Sequence, residues 1–204
     1  MSDSPQAVGE VIAVSTVQFD AQSYRLNESP AFGSLVLTLS PEGLGHFGLC
    51  FATETGSIEP GRSTIAWGGP DEAEGDIYDR QPQLLHVLRT TFSCLLVGYA
   101  GPYGRPVQRV PARPPRVHER VWQACDEEVC AFFGDLSYLR FVLRADVDNV
   151  EDLIAASVGQ AYRARGGDRA FLVEAGRSIA RLLAADHARL TAVLELLTGM
   201  EDSI

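Results

Sequence analysis

Pro102-Tyr-Gly-Arg-Pro-Val-Gln-Arg-Val-Pro-Ala-Arg-Pro-Pro-Arg116 holds five of the chain's eleven prolines and divides the sequence into two parts of different character. Proline fixes its own φ, lacks an N–H and pushes the preceding residue away from the helical region, so this stretch is neither helix nor central strand and must run extended. It is also basic: Arg105, Arg109, Arg113 and Arg116 stand in a segment with no acid between Asp79 and Glu119, within a chain of net charge -10. Two readings follow. One is a surface linker whose arginines pair with nearby carboxylates; the other is a docking strap that contacts a partner or phosphate through those four arginines.

Upstream of the strap the sequence alternates short apolar runs with turn residues. Gly9 to Phe19 is rich in β-branched residues and predicts a first strand, with a turn at Asp20-Ala21 and a short second strand through Tyr24 and Leu26. Asn27-Glu-Ser-Pro30 breaks the chain, Gly33 to Leu39 predicts a third strand, Phe47 to Thr55 a fourth and Thr64 to Trp67 a fifth. Leu84 to Tyr99 holds two further apolar stretches, predicted as strands, the first of which also suits one helical turn. Short strands separated by turn signals every 8 to 12 residues or so are the signature of a small barrel or sandwich.

Beyond the strap the period lengthens. Val121, Trp122, Cys125, Val129 and Phe132 recur at three and four spacing and predict an amphipathic helix over Val117–Phe133, stopped by Gly134. Leu136 to Leu143 predicts one more strand. Asp148 with Glu151 three residues on is a capping-box start for a helix to Arg165, ended by Gly166-Gly167. Asp168 caps a last helix, striped by Leu172, Ala175, Ile179, Leu182, Leu183, Leu190, Val193 and Leu197 up to Gly199, with Asp186 interrupting the stripe. At roughly 30 residues this helix would span about 45 Å. A helix of that length needs a partner helix, which assigns Leu172, Ile179, Leu182, Leu190, Val193 and Leu197 to oligomerisation and predicts a homo-oligomer. The fold class expected is therefore α+β: a small barrel or sandwich of six or seven strands over residues 8–110, a connecting strap over 102–116 and a helical region over 116–199.

Composition narrows function mostly by exclusion. All 17 basic residues are arginine and none is lysine, which removes the P-loop and Schiff-base chemistries. Gly43-Leu-Gly45-His-Phe-Gly48 matches a dinucleotide fingerprint by letter, but it leads into a β pattern and reads as a hairpin turn. His118-Glu119 begins a zinc-protease motif with Trp122 in place of the second ligand. His46, His86 and His187 lack a recognisable partner, and Asp126-Glu127-Glu128 reads as the wet face of its helix. The acidic run Asp71 to Asp79 lacks EF-hand spacing and reads as a loop. Cys50, Cys94, Cys125 and Cys130 form no Cys-x-x-Cys pair and read as buried free thiols, ahead of a metal site or disulfide. No catalytic residue, cofactor or metal is assigned. No apolar run approaches the roughly 20 residues of a membrane span, and the first residues do not resemble a signal peptide, so a cytoplasmic location is expected.

The opening Gly9-Glu-Val-Ile-Ala-Val-Ser15, Pro30-Ala-Phe-Gly-Ser-Leu-Val36, Leu95-Leu-Val-Gly-Tyr99 and the exit through Pro111-Ala-Arg-Pro-Pro115 into a segment containing Val121 resemble, in order and spacing, the HAS-barrel. This is the small β-barrel at the N-terminus of HerA-type DNA-translocating ATPases and of rotary ATP synthase subunits, and the resemblance covers residues 8 to 122. It implies that the six or seven strands form a small closed barrel, and it implies a ring-assembly or adaptor module associated with a HerA-type ATPase and a NurA-type nuclease in DNA processing or repair. The family's motor domain, with its phosphate-binding Gly-Lys-Ser/Thr, does not follow the strap here, so neither ATPase activity nor any catalytic residue carries over. Two other classes stay open: a small barrel that stacks single-stranded nucleic acid on exposed aromatics, which the acidic charge opposes, and an enzyme with a site between barrel and helices.

Overall fold

The strands close on themselves. The computed structural model describes residues 7–40, 43, 45–59, 78 and 81–201. In chain order come β1 (Ala7–Val14), β2 (Gln18–Ser23), β3 (Leu35–Leu39), β4 (Gly45–Ser57), the one-turn helix α1 (Leu84–Val87) and β5 (Leu88–Ala100). A 3-10 turn at Pro102–Gly104, β6 (Pro106–Val107) and β7 (Arg120–Gln123) follow. The helices after them are α2 (Asp126–Phe132), α3 (Leu139–Val142), α4 (Val150–Ala164), α5 (Arg169–Leu182) and α6 (His187–Glu201). The sheet order β2-β1-β7-β3-β4-β5-β6 is antiparallel throughout, and a further β2–β5 pairing closes six of the strands into a barrel, with β6 as an extra strand on the end of β5.

Two cores share one wall. Val11, Phe19, Ala21, Val36, Cys50, Phe92, Cys94, Leu96 and Val121 point inward and fill the barrel. On the opposite parity of β3, β4 and β5, Leu35, Phe47, Leu49, Leu95 and Val97 face out and pack against the helices through Phe132, Tyr138, Leu153, Ile154 and Val158. The apolar runs of β4 and β5 are continuous because both of their faces are buried.

Several sequence expectations shift in register. The first turn falls at Ser15, whose hydroxyl accepts from the amides of Val17 and Gln18 (3.3 and 3.1 Å), and Asp20-Ala21 lies inside β2, where Phe19, Ala21 and Ser23 alternate inward. Leu84–Val87 is a helical turn, and Leu88–Ala100 is one unbroken strand. The Gly43 turn does join a hairpin, with φ +79° and its amide on the Ser40 carbonyl. The strand expected at Thr64–Trp67 and the loop at Asp71–Asp79 lie outside the described residues, apart from Tyr78.

The helix expected over Val117–Phe133 is a strand followed by a helix. Val121 and Trp122 are poor helix formers and good strand formers, and pairing with β1 and β3 decides the matter. The helix starts where three acids, Asp126, Glu127 and Glu128, meet the positive end of its dipole, and the Glu128 carboxylate accepts from the Cys125 amide at 2.9 Å. Leu136–Leu143, expected as a strand, contains α3 instead. Tyr138, Leu139 and Val142 sit at helical spacing and all three are fully buried. At α4 the N-cap is Asn149, with no side-chain bond, and Glu151 turns away to pair with Arg189.

The single long C-terminal helix is two helices. Asp186, the break in the apolar stripe, accepts from the Arg189 amide through its carboxylate (3.2 Å) and starts α6 as an N-cap. Asp168 caps α5 as expected, through the Ala170 amide at 2.9 Å. The residues assigned to oligomerisation divide accordingly: Ile179, Val193 and Leu197 are buried in the chain's own core, Leu172 and Leu190 pack at its edge, and Leu182 is exposed.

Candidate interaction site

The strap lies across the barrel and is held by its backbone. At its start Gly101 accepts close packing: a Cβ there would stand 2.6 Å from Val107 Cγ2, and one on Gly98 would stand 2.6 Å from the Val107 carbonyl oxygen. Glycine at these two positions lets β6 lie against β5, where Tyr99 pairs with Val107 and Ala100 with Pro106.

Gln108 is the principal anchor. Its buried side-chain amide donates to the carbonyls of Phe132 (2.7 Å) and Asp135 (2.6 Å), its Oε1 accepts from the Tyr138 amide (2.6 Å), and its own carbonyl accepts from Arg140 Nη2 (3.2 Å). A second anchor comes from inside the barrel, where His46 Nε2 donates to the Arg113 carbonyl at 2.9 Å. A carbonyl only accepts, so His46 Nε2 carries the proton of that bond, and Nδ1 lies 3.2 Å from the Thr38 hydroxyl. Past Pro115, which is buried, the His118 amide donates to Val11 and the Val11 amide to Glu119, splicing the strap into β7 beside β1. His46 is therefore a structural histidine of the core.

With the backbone fixed, the side chains point out. Arg105, Arg109, Arg113 and Arg116 are all exposed, and Tyr103, held at φ 61°, is fully exposed. Val110 and Val117 are exposed between them. The arginine series continues into β7 with Arg120, opposite Glu10 on β1; Glu10 also takes the ring of His118 at 2.6 Å and the Tyr24 hydroxyl at 3.4 Å. Partial burial, and then the Glu10 carboxylate, raise the Tyr24 phenol above its ordinary range. The strap is thus a row of arginines with one tyrosine, on a rigid base, and it ends in a mixed cluster around Glu10. The arginines were legible in the sequence, but the extended path begins only after a 3-10 turn at Pro102–Gly104; the anchoring by Gln108 and His46 was not legible, because both partners come from elements distant in sequence.

Two clefts accompany it. An apolar groove of about 440 Å³ runs beside Gly104 and Pro106, lined by Leu37, Leu39, Phe47 and Trp122. A polar cleft of about 600 Å³ separates α5 from the α2–α3 connection. Its charged groups are occupied with structure: Arg165 lies 4.3 Å over Phe171 and donates to Cys130 and Ala161, Arg181 meets Glu174 at 3.2 Å and Ser178 at 3.0 Å, and Asp168 caps α5. Among the described residues no group of three or more His, Cys, Asp or Glu is arranged to hold a metal ion, and no helix is long and apolar enough to cross a membrane. No protein-family model matches this sequence, and no curated protein matches it either.

Proposed function

We propose that this protein is a non-enzymatic adaptor whose arginine strap docks on an acidic surface of a protein partner. The observation that carries the reading is the strap itself: its backbone is anchored at Val107, Gln108, Arg113 and His118, while Tyr103, Arg105, Arg109 and Arg113 stand exposed. Tyrosine and arginine dominate the energetics of protein interfaces, and a backbone already ordered loses little entropy on binding. A basic strap on a chain of net charge -10 selects an acidic patch over the bulk of its own surface type. The resemblance of residues 8 to 122 to the HAS-barrel, together with the closed barrel, supports a ring ATPase of the HerA type or a NurA-type nuclease as the partner, with the barrel as an assembly module.

The test is a tagged pull-down from the source cells with the wild-type chain and with Arg105, Arg109, Arg113 and Arg116 all replaced by Glu. Recovery of a ring ATPase or nuclease by the wild type, and its loss in a variant that melts at the same temperature, is expected. Retention of the partner by the variant would overturn the strap as the docking element. Tyr103 beside Arg105 favours a second reading, stacking of single-stranded bases over a basic edge. Oligonucleotide binding by the isolated chain that falls steeply with added salt would select it, against the opposing net charge.

A further inference from the structure

Cys50 on β4 and Cys94 on β5, 44 positions apart in the sequence, face each other across the barrel ladder, and both are fully buried. The Cys50 amide donates to Ser34 (3.0 Å) and its carbonyl accepts from Gly33 (2.8 Å), so both backbone groups point away from β5. Opposite Cys94 it therefore occupies a non-hydrogen-bonded position, where Cα atoms stand about 4.5 Å apart and side chains come closest. That separation is inside the roughly 4.4–6.8 Å range over which a disulfide closes. A register shift follows immediately, between Cys50 and Ala52, and gives the ladder local freedom to adjust.

We propose that Cys50 and Cys94 are a dithiol–disulfide pair that cross-links β4 to β5 inside the barrel when the protein meets a hydroperoxide. The Cys50 sulfur, deprotonated, attacks the terminal peroxide oxygen; the O–O bond breaks, and the departing oxygen takes up the proton and leaves as water or alcohol. The Cys94 sulfur then attacks the resulting sulfenic acid; the S–O bond breaks, and hydroxide takes the Cys94 proton and leaves as water. Two thiols lose two electrons and two protons, and one peroxide is reduced. The order follows from the surroundings. The neighbouring Cys94 thiol lowers the Cys50 thiol below its ordinary range, and burial raises the Cys94 thiol well above its own. Entry of the peroxide requires the segment over Cys50 to lift, since the Cys50 thiol donates to the Pro30 carbonyl at 3.6 Å and Gly33 and Ser34 are bonded to its backbone.

The exposed Cys125 supplies an internal comparison. The folded full chain is treated with hydrogen peroxide, alkylated, and followed by intact mass and peptide mapping. Loss of two hydrogens, a Cys50–Cys94 linked peptide, its reversal by dithiothreitol and its persistence in a Cys125→Ser variant are expected. In Cys94→Ser the expected product is a Cys50 sulfenic acid that a dimedone probe captures. If Cys125 is oxidised while Cys50 and Cys94 both alkylate as free thiols once the protein is denatured, the proposal fails, and that result needs no variant to fold.

Discussion

Among the described residues, Glu119 alone has buried side-chain polar atoms without a hydrogen-bond partner. It shares the inward parity of Val121, it is 6% exposed, and both carboxylate oxygens lack a hydrogen-bond partner. A carboxylate in that position is costly, and an apolar side chain of similar size removes the cost. Glu119→Leu is expected to stabilise the chain by about 1–3 kcal/mol, with the thermal midpoint rising by roughly 2–4 °C for each of these. A lower midpoint by calorimetry would mean that the carboxylate holds a favourable interaction. Tyr138 is the satisfied counterpart. It is fully buried with its hydroxyl 2.8 Å from Ser157, and burial pushes its phenol far above the ordinary range. Single residues also show what a sequence conceals. Asp186 was visible as a gap in an apolar stripe, but a gap and a cap are the same letter, and only the Arg189 amide distinguishes them.

At the scale of elements, Gln108 adds three side-chain hydrogen bonds to the stiffness that five prolines give the strap. Gln108→Ala strips partners from the Phe132 and Asp135 carbonyls and from the Tyr138 amide, and is expected to cost about 2–4 kcal/mol. Faster trypsin cleavage after Arg109 or Arg116, relative to the wild type, checks that the strap itself has loosened. Helix α4 is tied to α6 by Glu151 and Arg189. The hydrogen bond from Arg189 lowers the Glu151 carboxyl below its ordinary value near 4.5. A carboxyl depressed on folding contributes its full stability above the unfolded value and loses it as pH falls through the folded one. Melting midpoints taken downward from pH 7 are expected to show this loss in the wild type and not in Glu151→Gln. Because the pair is partly exposed, solvent screening holds the difference to about 1 kcal/mol or less. Elements with a clean period, α4 above all, were legible; β7 was not, because four residues with Val121 and Trp122 fit either period until their neighbours are known.

Across the whole molecule, one barrel wall serves two cores, and the helices spend their apolar faces within the chain. Ile179→Ala or Val193→Ala is expected to destabilise the isolated chain by about 2–4 kcal/mol. Leu182→Ala should change stability by no more than about 0.5 kcal/mol, and chemical denaturation distinguishes the two classes. If the helical layer also joins copies of the chain, exposed Val173, Leu182, Leu194 and Leu196 are side chains left for it among the described residues. The α+β class was readable from strand spacing and helical period, which fitted a barrel or a sandwich, but the allotment of strands was not, since β7 inserts between β1 and β3 from the far side of the strap. That insertion makes the proline-rich seam a poor place to divide the gene. A fragment ending at the strap lacks the stave between β1 and β3 and leaves both as open edges, and the complementary fragment carries that stave with nothing to border it. The two pieces have the character of a split protein, each unable to hold its shape alone and each specified to recognise the other.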